Sequence, residues 1–154
     1  MLLMVCAPLA SACGAPDSCG PDSAVVARAI DGDTIELVGG KRVRYLLVDT
    51  PEITHGDAAC FGAEARAFNQ SLVEGRQVSL RYDSPCADRY GRLLAYVSLD
   101  GVEVNTWLVR GGYACVLHIP PSGNDRAAEF EALEQDAKRA GRGLWSACAA
   151  KPCG

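Results

Sequence analysis

Residues 25–52 constrain the possible fold more than any other part of the chain. Two stretches that alternate apolar and polar residues flank the pair Gly39-Gly40. This pattern is typical of strands joined by a two-residue hairpin, since glycine accepts the positive φ that such a turn needs. Among the charged residues of this stretch, four carboxylates and one arginine lie in two short runs on or beside these strands: Asp31 and Asp33 in the first, and Arg44, Asp49 and Glu52 in the second. Acidic and basic groups this close in sequence suit a cation together with a phosphate.

The remaining periodicity predicts five short strands. They cover residues 25–30, 33–38, 42–48, 78–82 and 93–99. Apolar residues at helical spacing predict three helices, within residues 61–72, 104–108 and 130–140. Gly75 and Gly141 are expected to end the first and third helices, and Asn124 or Asp125 to cap the third at its start. Strands with helices packed around them predict a small α+β barrel.

Composition limits the classes of function. The 154 residues correspond in length to a single domain and carry a net charge of −4. Proteins that coat nucleic acid by bulk electrostatics usually present a broad basic face instead. Any function directed at phosphate must therefore depend on a few well-placed arginines.

The cysteines and the N-terminus predict export. No two of the eight cysteines have the close spacing of a zinc site, so disulfides in an oxidising compartment are favoured. Residues 1–12 are apolar and end in small residues, as a signal peptide does, although a basic start is missing. Residues 13–23 contain many turn formers and predict a linker. Cys13 directly follows the small residues, so a lipoprotein anchor is an alternative. We expect a secreted, periplasmic or envelope protein.

Several motifs occur in an order and at a spacing that resemble staphylococcal nuclease. They are DGDT at residues 31–34, Arg44 with LLVDTPE at 46–52, DRYGRLLAY at 88–96, DG at 100–101, LVRG at 108–111 and GLWS at 143–146. The resemblance implies an α+β OB-fold, a five-stranded barrel with three α-helices, in a domain of residues 24–147 followed by a tail of residues 148–154. It also implies calcium-dependent hydrolysis of DNA and RNA phosphodiesters that leaves 3′-phosphate products.

The resemblance assigns a calcium site to the acidic residues. Asp33, Asp49 and the backbone carbonyl of Thr50 would bind Ca²⁺, a hard cation that prefers oxygen ligands. Asp31 would help to hold this site. The alternative is that Asp31-Gly32-Asp33 is only a turn, because Asp-Gly pairs are common turn formers.

The same resemblance assigns the catalytic groups. Glu52 matches the residue usually regarded as the general base for the attacking water, or as a group that positions it. Arg44 and Arg92 match two arginines that hold the scissile phosphate, a task suited to a planar guanidinium. The alternative for each arginine by itself is a surface salt bridge.

Substrate contacts are expected on both sides of this centre. Arg89 and Tyr90 match positions that hold the terminal phosphate of a nucleotide, although Tyr90 is equally suited to packing in the barrel. His118 and Pro120 stand where the family has two tyrosines that flank the base. A base stacked on an aromatic ring is stabilised by about 1–3 kcal/mol, so this change affects substrate affinity and base preference.

The implied fold also suggests a disulfide between Cys60 and Cys86, because both should approach the rim of the active site. The remaining pairings stay open, with Cys148–Cys153, or Cys19 with either of these, as alternatives.

Two other classes of protein compete with the nuclease hypothesis. One is an inactive OB-type module that binds nucleic acid or protein, and the other is a disulfide-rich structural lipoprotein. The joint presence of Asp33, Asp49, Arg44, Glu52 and Arg92 favours the nuclease. We expect DNA and RNA as substrates, Ca²⁺ as cofactor, no obligatory protein partner, a monomer, and membrane contact only through a lipid on Cys13.

Overall fold

The structure is a computed structural model that describes residues 19–54 and 57–153, with backbone only at residues 54 and 57. The predicted signal peptide, Cys13 and residues 13–18 of the predicted linker lie outside these residues. Within the described ranges, no helix is both long enough and apolar enough to cross a bilayer.

Five of the eight strands in the described residues close into a mixed barrel. The eight are β1 (Ser23–Ala29), β2 (Thr34–Leu37), β3 (Arg42–Tyr45), β4 (Ile53–Thr54), β5 (Asp57–Ala58), β6 (Gln77–Ala87), β7 (Leu93–Leu99) and β8 (Val102–Glu103). Antiparallel pairing joins β3, β2, β1, β6 and β7 in that order, and parallel pairing of β3 with β7 closes the barrel. β8 extends the β7 edge, and β4 and β5 form a separate ribbon. The predicted α+β barrel of the OB type is confirmed.

Strand bounds differ from the prediction near the acidic residues. β3 ends at Tyr45 rather than at residue 48, because Leu47 adopts a left-handed conformation with φ 61°. The Leu46 amide still donates to the Ala95 carbonyl of β7, at 3.0 Å. The chain therefore leaves the barrel wall after one more hydrogen bond and turns back toward β2.

In the part of the chain that the structure describes, four helices surround the barrel: α1 (Gly62–Val73), α2 (Val104–Arg110), α3 (Ala127–Arg139) and the four-residue α4 (Leu144–Ala147). The three predicted helices are present, and Gly75 and Gly141 follow α1 and α3 with positive φ, as expected. The predicted N-cap of α3 is wrong. Arg126 occupies that position without a side-chain cap, because a guanidinium has no acceptor for a backbone N–H. It donates to Glu129 and Glu103 instead, while the side chain of Asn124 is hydrogen-bonded to His118.

Asn105 of α2 joins three parts of the fold inside the core. It is fully buried, its Nδ2 donates to the carbonyls of Leu46 and Ala95, and its Oδ1 accepts from the Val97 amide. Buried polar groups with all partners present specify a single arrangement. The turn after β3 is thus fixed from within the core.

Three disulfides are present among the described cysteines: Cys19–Cys86, Cys60–Cys148 and Cys115–Cys153. The predicted Cys60–Cys86 pair is wrong, and so are the alternatives that paired Cys148 with Cys153 or Cys19 with either of these. Cys60 and Cys86 are instead each bonded to a cysteine near one end of the described chain. Cys86 holds the N-terminal segment, where the Tyr82 hydroxyl also donates to the Pro21 carbonyl at 2.7 Å. Cys60 and Cys115 hold the C-terminal tail at two points.

Peptide mapping of the non-reduced protein is expected to recover a fragment in which Cys60 is linked to Cys148. The Cys60→Ser/Cys148→Ser variant should lose about 2–4 kcal/mol of unfolding free energy, because the bridge constrains a long loop in the unfolded chain. Denaturant unfolding with and without reductant measures this loss, which should vanish in reductant. A peptide linking Cys60 to Cys86 would contradict the assignment.

Candidate active site

Asp33 is the most heavily bonded acidic residue of the site. It is buried in the turn between β1 and β2, where its own amide donates to Asp31 Oδ1 at 3.1 Å. Its Oδ1 accepts from the Thr34 hydroxyl, and its Oδ2 accepts from both the amide and the hydroxyl of Thr50. Residues 31–33 therefore form a turn, as the simple alternative proposed, and this turn also aims a carboxylate at the segment after β3.

The guanidinium of Arg44 connects the two acidic segments. Nη2 lies 3.2 Å from Asp33 Oδ2 and 3.2 Å from Asp49 Oδ1, while Nη1 donates to the carbonyls of Tyr45 and Val48. The side chain is only 13% exposed, so this ion pair is shielded from solvent. Arg44 is therefore no surface salt bridge: it holds the turn that brings Asp49 to Asp33.

Asp49 is also fixed through its backbone. Its amide donates to the Cys115 carbonyl at 2.9 Å, and the Cys115 amide donates back to the Asp49 carbonyl at 2.8 Å. Because Cys115 is bonded to Cys153, the C-terminal tail is covalently tied beside this acidic residue. Sequence reasoning missed this contact, which no local pattern predicts.

Asn69 fixes the acidic turn from the helix side, and its role was also missed. It is fully buried in α1, its Nδ2 donates to the Asp31 carbonyl at 3.0 Å, and its Oδ1 accepts from the Tyr45 hydroxyl at 2.9 Å. A polar residue on the buried face of an otherwise amphipathic helix was the available signal.

The site holds more negative charge than Arg44 balances. Burial raises the pKa of Asp31 to about 7, and the nearby charge of Asp33 adds to the rise. Burial likewise raises the pKa of Asp49; Arg44 opposes the rise, and the charges of Asp33 and Glu52 add to it. Such mutual repulsion between buried carboxylates is relieved by a cation.

The oxygen atoms near Arg44 fit a hard divalent cation. Asp49 Oδ2 and the carbonyl of the buried Thr50 accept no hydrogen bond from the described residues, and Asp33 lies directly against Thr50. No three acidic, histidine or cysteine side chains within residues 19–54 and 57–153 form a metal cluster by themselves. Two carboxylates and one carbonyl would hold the ion, and water would supply the other ligands, as is common for Mg²⁺ and Ca²⁺.

Arg92 is held by a tight loop between β6 and β7. Asp88 Oδ1 accepts from the amides of Tyr90 and Arg92, and Asp88 Oδ2 accepts from Arg92 Nε at 2.7 Å. Burial acts to raise the pKa of Asp88, but these hydrogen bonds outweigh it and lower the pKa. Gly91, with φ 79°, permits the turn. Sequence reasoning quoted Asp88 within the motif but gave it no role.

Arg44 and Arg92 face one cavity of about 570 Å³. Its lining also includes Arg89 and Tyr90, and the rest is mostly apolar. The apolar residues include Leu46, Leu47, Val48, Pro85, Leu94, Leu117, Ile119, Pro120 and Pro121. The structure thus brings four of the predicted phosphate-contacting residues together. Tyr90 is 68% exposed, so the alternative that it packs in the barrel is wrong.

Two predicted residues stand apart from this cavity. His118 does not line it; its Nε2 is hydrogen-bonded to Asn124 Oδ1 at 2.9 Å, while its neighbours Leu117 and Ile119 face the cavity. Glu52 is exposed, its backbone carbonyl accepts from the Ala59 amide, and its charge acts on Asp49.

Fold and site together define a small OB-type barrel with an acidic, arginine-bridged site beside an apolar cavity. The sequence profile of the family described as "Staphylococcal nuclease homologue" matches residues 42–147, and the chain belongs to this family. The matched range contains Arg44, Asp49 and Arg92 and begins after Asp31 and Asp33.

Curated proteins extend the similarity. Endonuclease YncB of Bacillus subtilis (strain 168) is 40% identical over 125 residues, covering 77% of this chain and 59% of that protein. The SPbeta prophage-derived endonuclease YokF of the same organism is 37% identical, covering 77% and 42%. An uncharacterized endonuclease of Escherichia coli O157:H7 is 33% identical over 135 residues, covering 85% and 82%. The chain therefore spans less than two thirds of the length of the two Bacillus relatives.

The charge excess predicts a pH-dependent effect of Asp31→Asn in chelator-treated protein. The folded-state pKa of Asp31 lies above its unfolded value, so its contribution to stability is lost as pH rises from about 4 to about 7. The variant should therefore gain unfolding free energy relative to the parent across this range, on the order of 1–2 kcal/mol. Thermal unfolding at several pH values measures the gain.

The matched control is Asp125→Asn, since Asp125 is exposed and outside the site. The difference in unfolding free energy between this variant and the parent should be the same at every pH. If the difference for Asp31→Asn were also independent of pH, the pKa of Asp31 would not be raised in the folded protein.

Proposed function

We propose that the protein is a metal-dependent nuclease that hydrolyses phosphodiester bonds of DNA and RNA. The proposal rests mainly on Arg44, which belongs both to the acidic site and to the lining of the cavity. Its guanidinium contacts Asp33 and Asp49 within the acidic site, and the same residue lines the cavity together with Arg92. Family membership and the names of the endonuclease relatives support the same activity.

Arg44 and Arg92 would bind the scissile phosphate from two sides. Arg92 uses only Nε for its bond to Asp88, and among the described residues no acceptor binds its terminal nitrogens. Two guanidinium groups stay charged throughout catalysis and favour the charge that develops on the phosphoryl oxygens. The hydrogen bonds of Asp88 pre-orient Arg92 and lower the entropy cost of binding.

Glu52 would orient the attacking water and accept its proton. It is exposed at the edge of the acidic site, close enough for its charge to act on Asp49, so solvent reaches it freely. From this edge, the Glu52 carboxylate would face a phosphate bound to Arg44 on the side where the acidic residues lie. Proton transfer by a positioned side chain of this kind contributes about 10²–10⁴-fold to the rate.

Asp33, Asp49 and the Thr50 carbonyl are the residues that would hold Ca²⁺. When bound, the ion supplies positive charge that polarises the phosphoryl oxygen and favours ionisation of a bound water. Asp31 would sustain this site through its hydrogen bond to the Asp33 amide. We also propose that the ion is calcium rather than another hard cation and that the products carry a 3′-phosphate. Both proposals rest on the family resemblance.

The apolar wall would receive the sugar and base next to the scissile phosphate. Leu117 and Ile119 stand near the positions where aromatic stacking was expected, and aliphatic contact lacks the specific stacking gain of about 1–3 kcal/mol per base. We therefore propose weak base preference and cleavage of both DNA and RNA.

We also propose that the protein acts outside the cytosol. Three disulfides among the described cysteines support this, because such bridges persist in oxidising compartments. A signal peptide would direct export, and a lipid on Cys13 would anchor the protein to the membrane.

Hydrolysis of labelled DNA and RNA with Ca²⁺, and then with a chelator, tests the activity. Arg92→Ala and Glu52→Gln should each lower kcat about 10²–10³-fold, because each removes a group that acts on the developing charge or on the water. Chelation should abolish cleavage. End-group analysis of the products tests for a 3′-phosphate.

Arg76→Ala is the matched control. Arg76 is exposed and paired with Asp100, at the end of β7 opposite Arg92. Its activity should equal that of the parent. Parental rates in folded Arg92→Ala and Glu52→Gln would overturn the proposed roles, and absence of cleavage in every condition would favour the inactive binding module.

A further inference from the structure

A second depression adjoins the cavity on the side of the β2–β3 hairpin. It has a volume of about 640 Å³ and is lined by Gly40, Lys41, Arg42, Tyr90, Gly91 and Arg92. Tyr90 and Arg92 line both depressions, so the two are continuous around these side chains. Every ionisable side chain in this lining other than Tyr90 is cationic.

Strand register places the cationic side chains in a row. Val43 and Tyr45 of β3 are buried, so Arg42 and Arg44, which alternate with them, lie on the outer face. The parallel register pairs Val43 with Leu93, and one step earlier along both strands are Arg42 and Arg92. Alternate residues on a strand are about 6–7 Å apart, a distance comparable to that between successive phosphates of an extended polynucleotide.

The charges of the two hairpin residues, Lys41 and Arg42, are largely free to bind an anion. Within the described residues, Lys41 takes part in no salt bridge, and Arg42 has only a loose contact of 3.6 Å with Glu36. Glu36 is engaged more closely by Arg28, at 3.1 Å. Arg42 is 55% exposed, and so is reachable by a ligand.

Tyr90 supplies an aromatic surface between the two depressions. It is 68% exposed, and the guanidinium groups of Arg89 and Arg92 lie 4.8 and 5.4 Å from its ring centroid. An exposed aromatic ring flanked by arginines is the usual composition of a surface that binds single-stranded nucleic acid without sequence preference. Because the net charge of the chain is −4, this local row would have to supply the attraction.

We propose that Lys41 and Arg42 form an extended binding site for the polynucleotide strand, which continues from the scissile phosphate past Tyr90 onto the β2–β3 hairpin. The inference rests on the proposed nuclease function and deepens it, since it specifies a substrate longer than a dinucleotide. Lys41 and Arg42 bind phosphates beyond the reacting one and touch no reacting atom.

The salt dependence of binding tests this site. A single-stranded oligonucleotide of about 20 nucleotides is titrated by fluorescence anisotropy in chelator, where no cleavage occurs, at several salt concentrations. For single strands each phosphate contact contributes about −0.7 to the slope of log K against log salt, so Lys41→Ser/Arg42→Ser should reduce the slope by about 1.4. Affinity at low salt should fall about tenfold or more.

Arg76→Ser/Arg139→Ser is the control of equal charge change. Both residues are exposed, pair with acidic neighbours and line neither depression. The control should keep the parental slope, whereas a loss equal to that of the hairpin variant would assign the effect to net charge. A parental slope in Lys41→Ser/Arg42→Ser would overturn the extended site.

Kinetics separate this inference from the proposed function. In Ca²⁺, the hairpin variant should raise KM for the long oligonucleotide about tenfold more than KM for a dinucleotide substrate, because only the long strand reaches the hairpin. Equal changes for both substrates would contradict the extended site. If no variant or parent cleaves but the slope still changes, the nuclease proposal fails and the binding site stands.

Discussion

The bond between Arg44 and the two acidic segments is the interaction on which the site depends. One guanidinium contacts Asp33 and Asp49 and also donates a hydrogen bond to the Val48 carbonyl, which fixes the turn after β3. Without it, three carboxylates would be confined in a poorly solvated corner with no balancing charge, at a cost that rises as the local dielectric falls. The same side chain lines the cavity, so one residue forms the structural ion pair and is also the proposed phosphate-binding group.

Packing around this pair explains why it stays in place. Asn105 holds the turn after β3 from the core, and Asn69 holds the Asp31 segment from α1. Both amides are fully buried and bonded, and an unsatisfied buried partner would cost about 1–3 kcal/mol. The Cys115–Cys153 bridge adds a covalent tie beside Asp49. These contacts fix the acidic segments in place, as the proposed catalysis by pre-organised charge requires.

Local patterns account for what was predicted correctly. Alternation and the Gly39-Gly40 pair predicted the β2–β3 hairpin, and helical periodicity predicted α1 to α3, because each pattern follows from a period of the backbone itself. The exit of the chain at Leu47 was missed, since a left-handed leucine has no signal in sequence and is maintained by tertiary contacts. The N-cap of α3 was missed for a similar reason: the candidate Asn124 is engaged by His118.

By itself, the sequence determined the order of the five barrel strands and of α1 to α3, the residue types of the site and the family pattern that joins Asp33, Arg44, Asp49 and Arg92. These follow from local periodicity and from short motifs. Only the tertiary structure decided the disulfide pairing, because which cysteines meet depends on where distant strands and tails lie. It also decided that His118 stays outside the cavity and that Arg42, Arg44 and Arg92 form one row. That row exists because parallel pairing of β3 with β7 closes the barrel, a contact between segments about fifty residues apart.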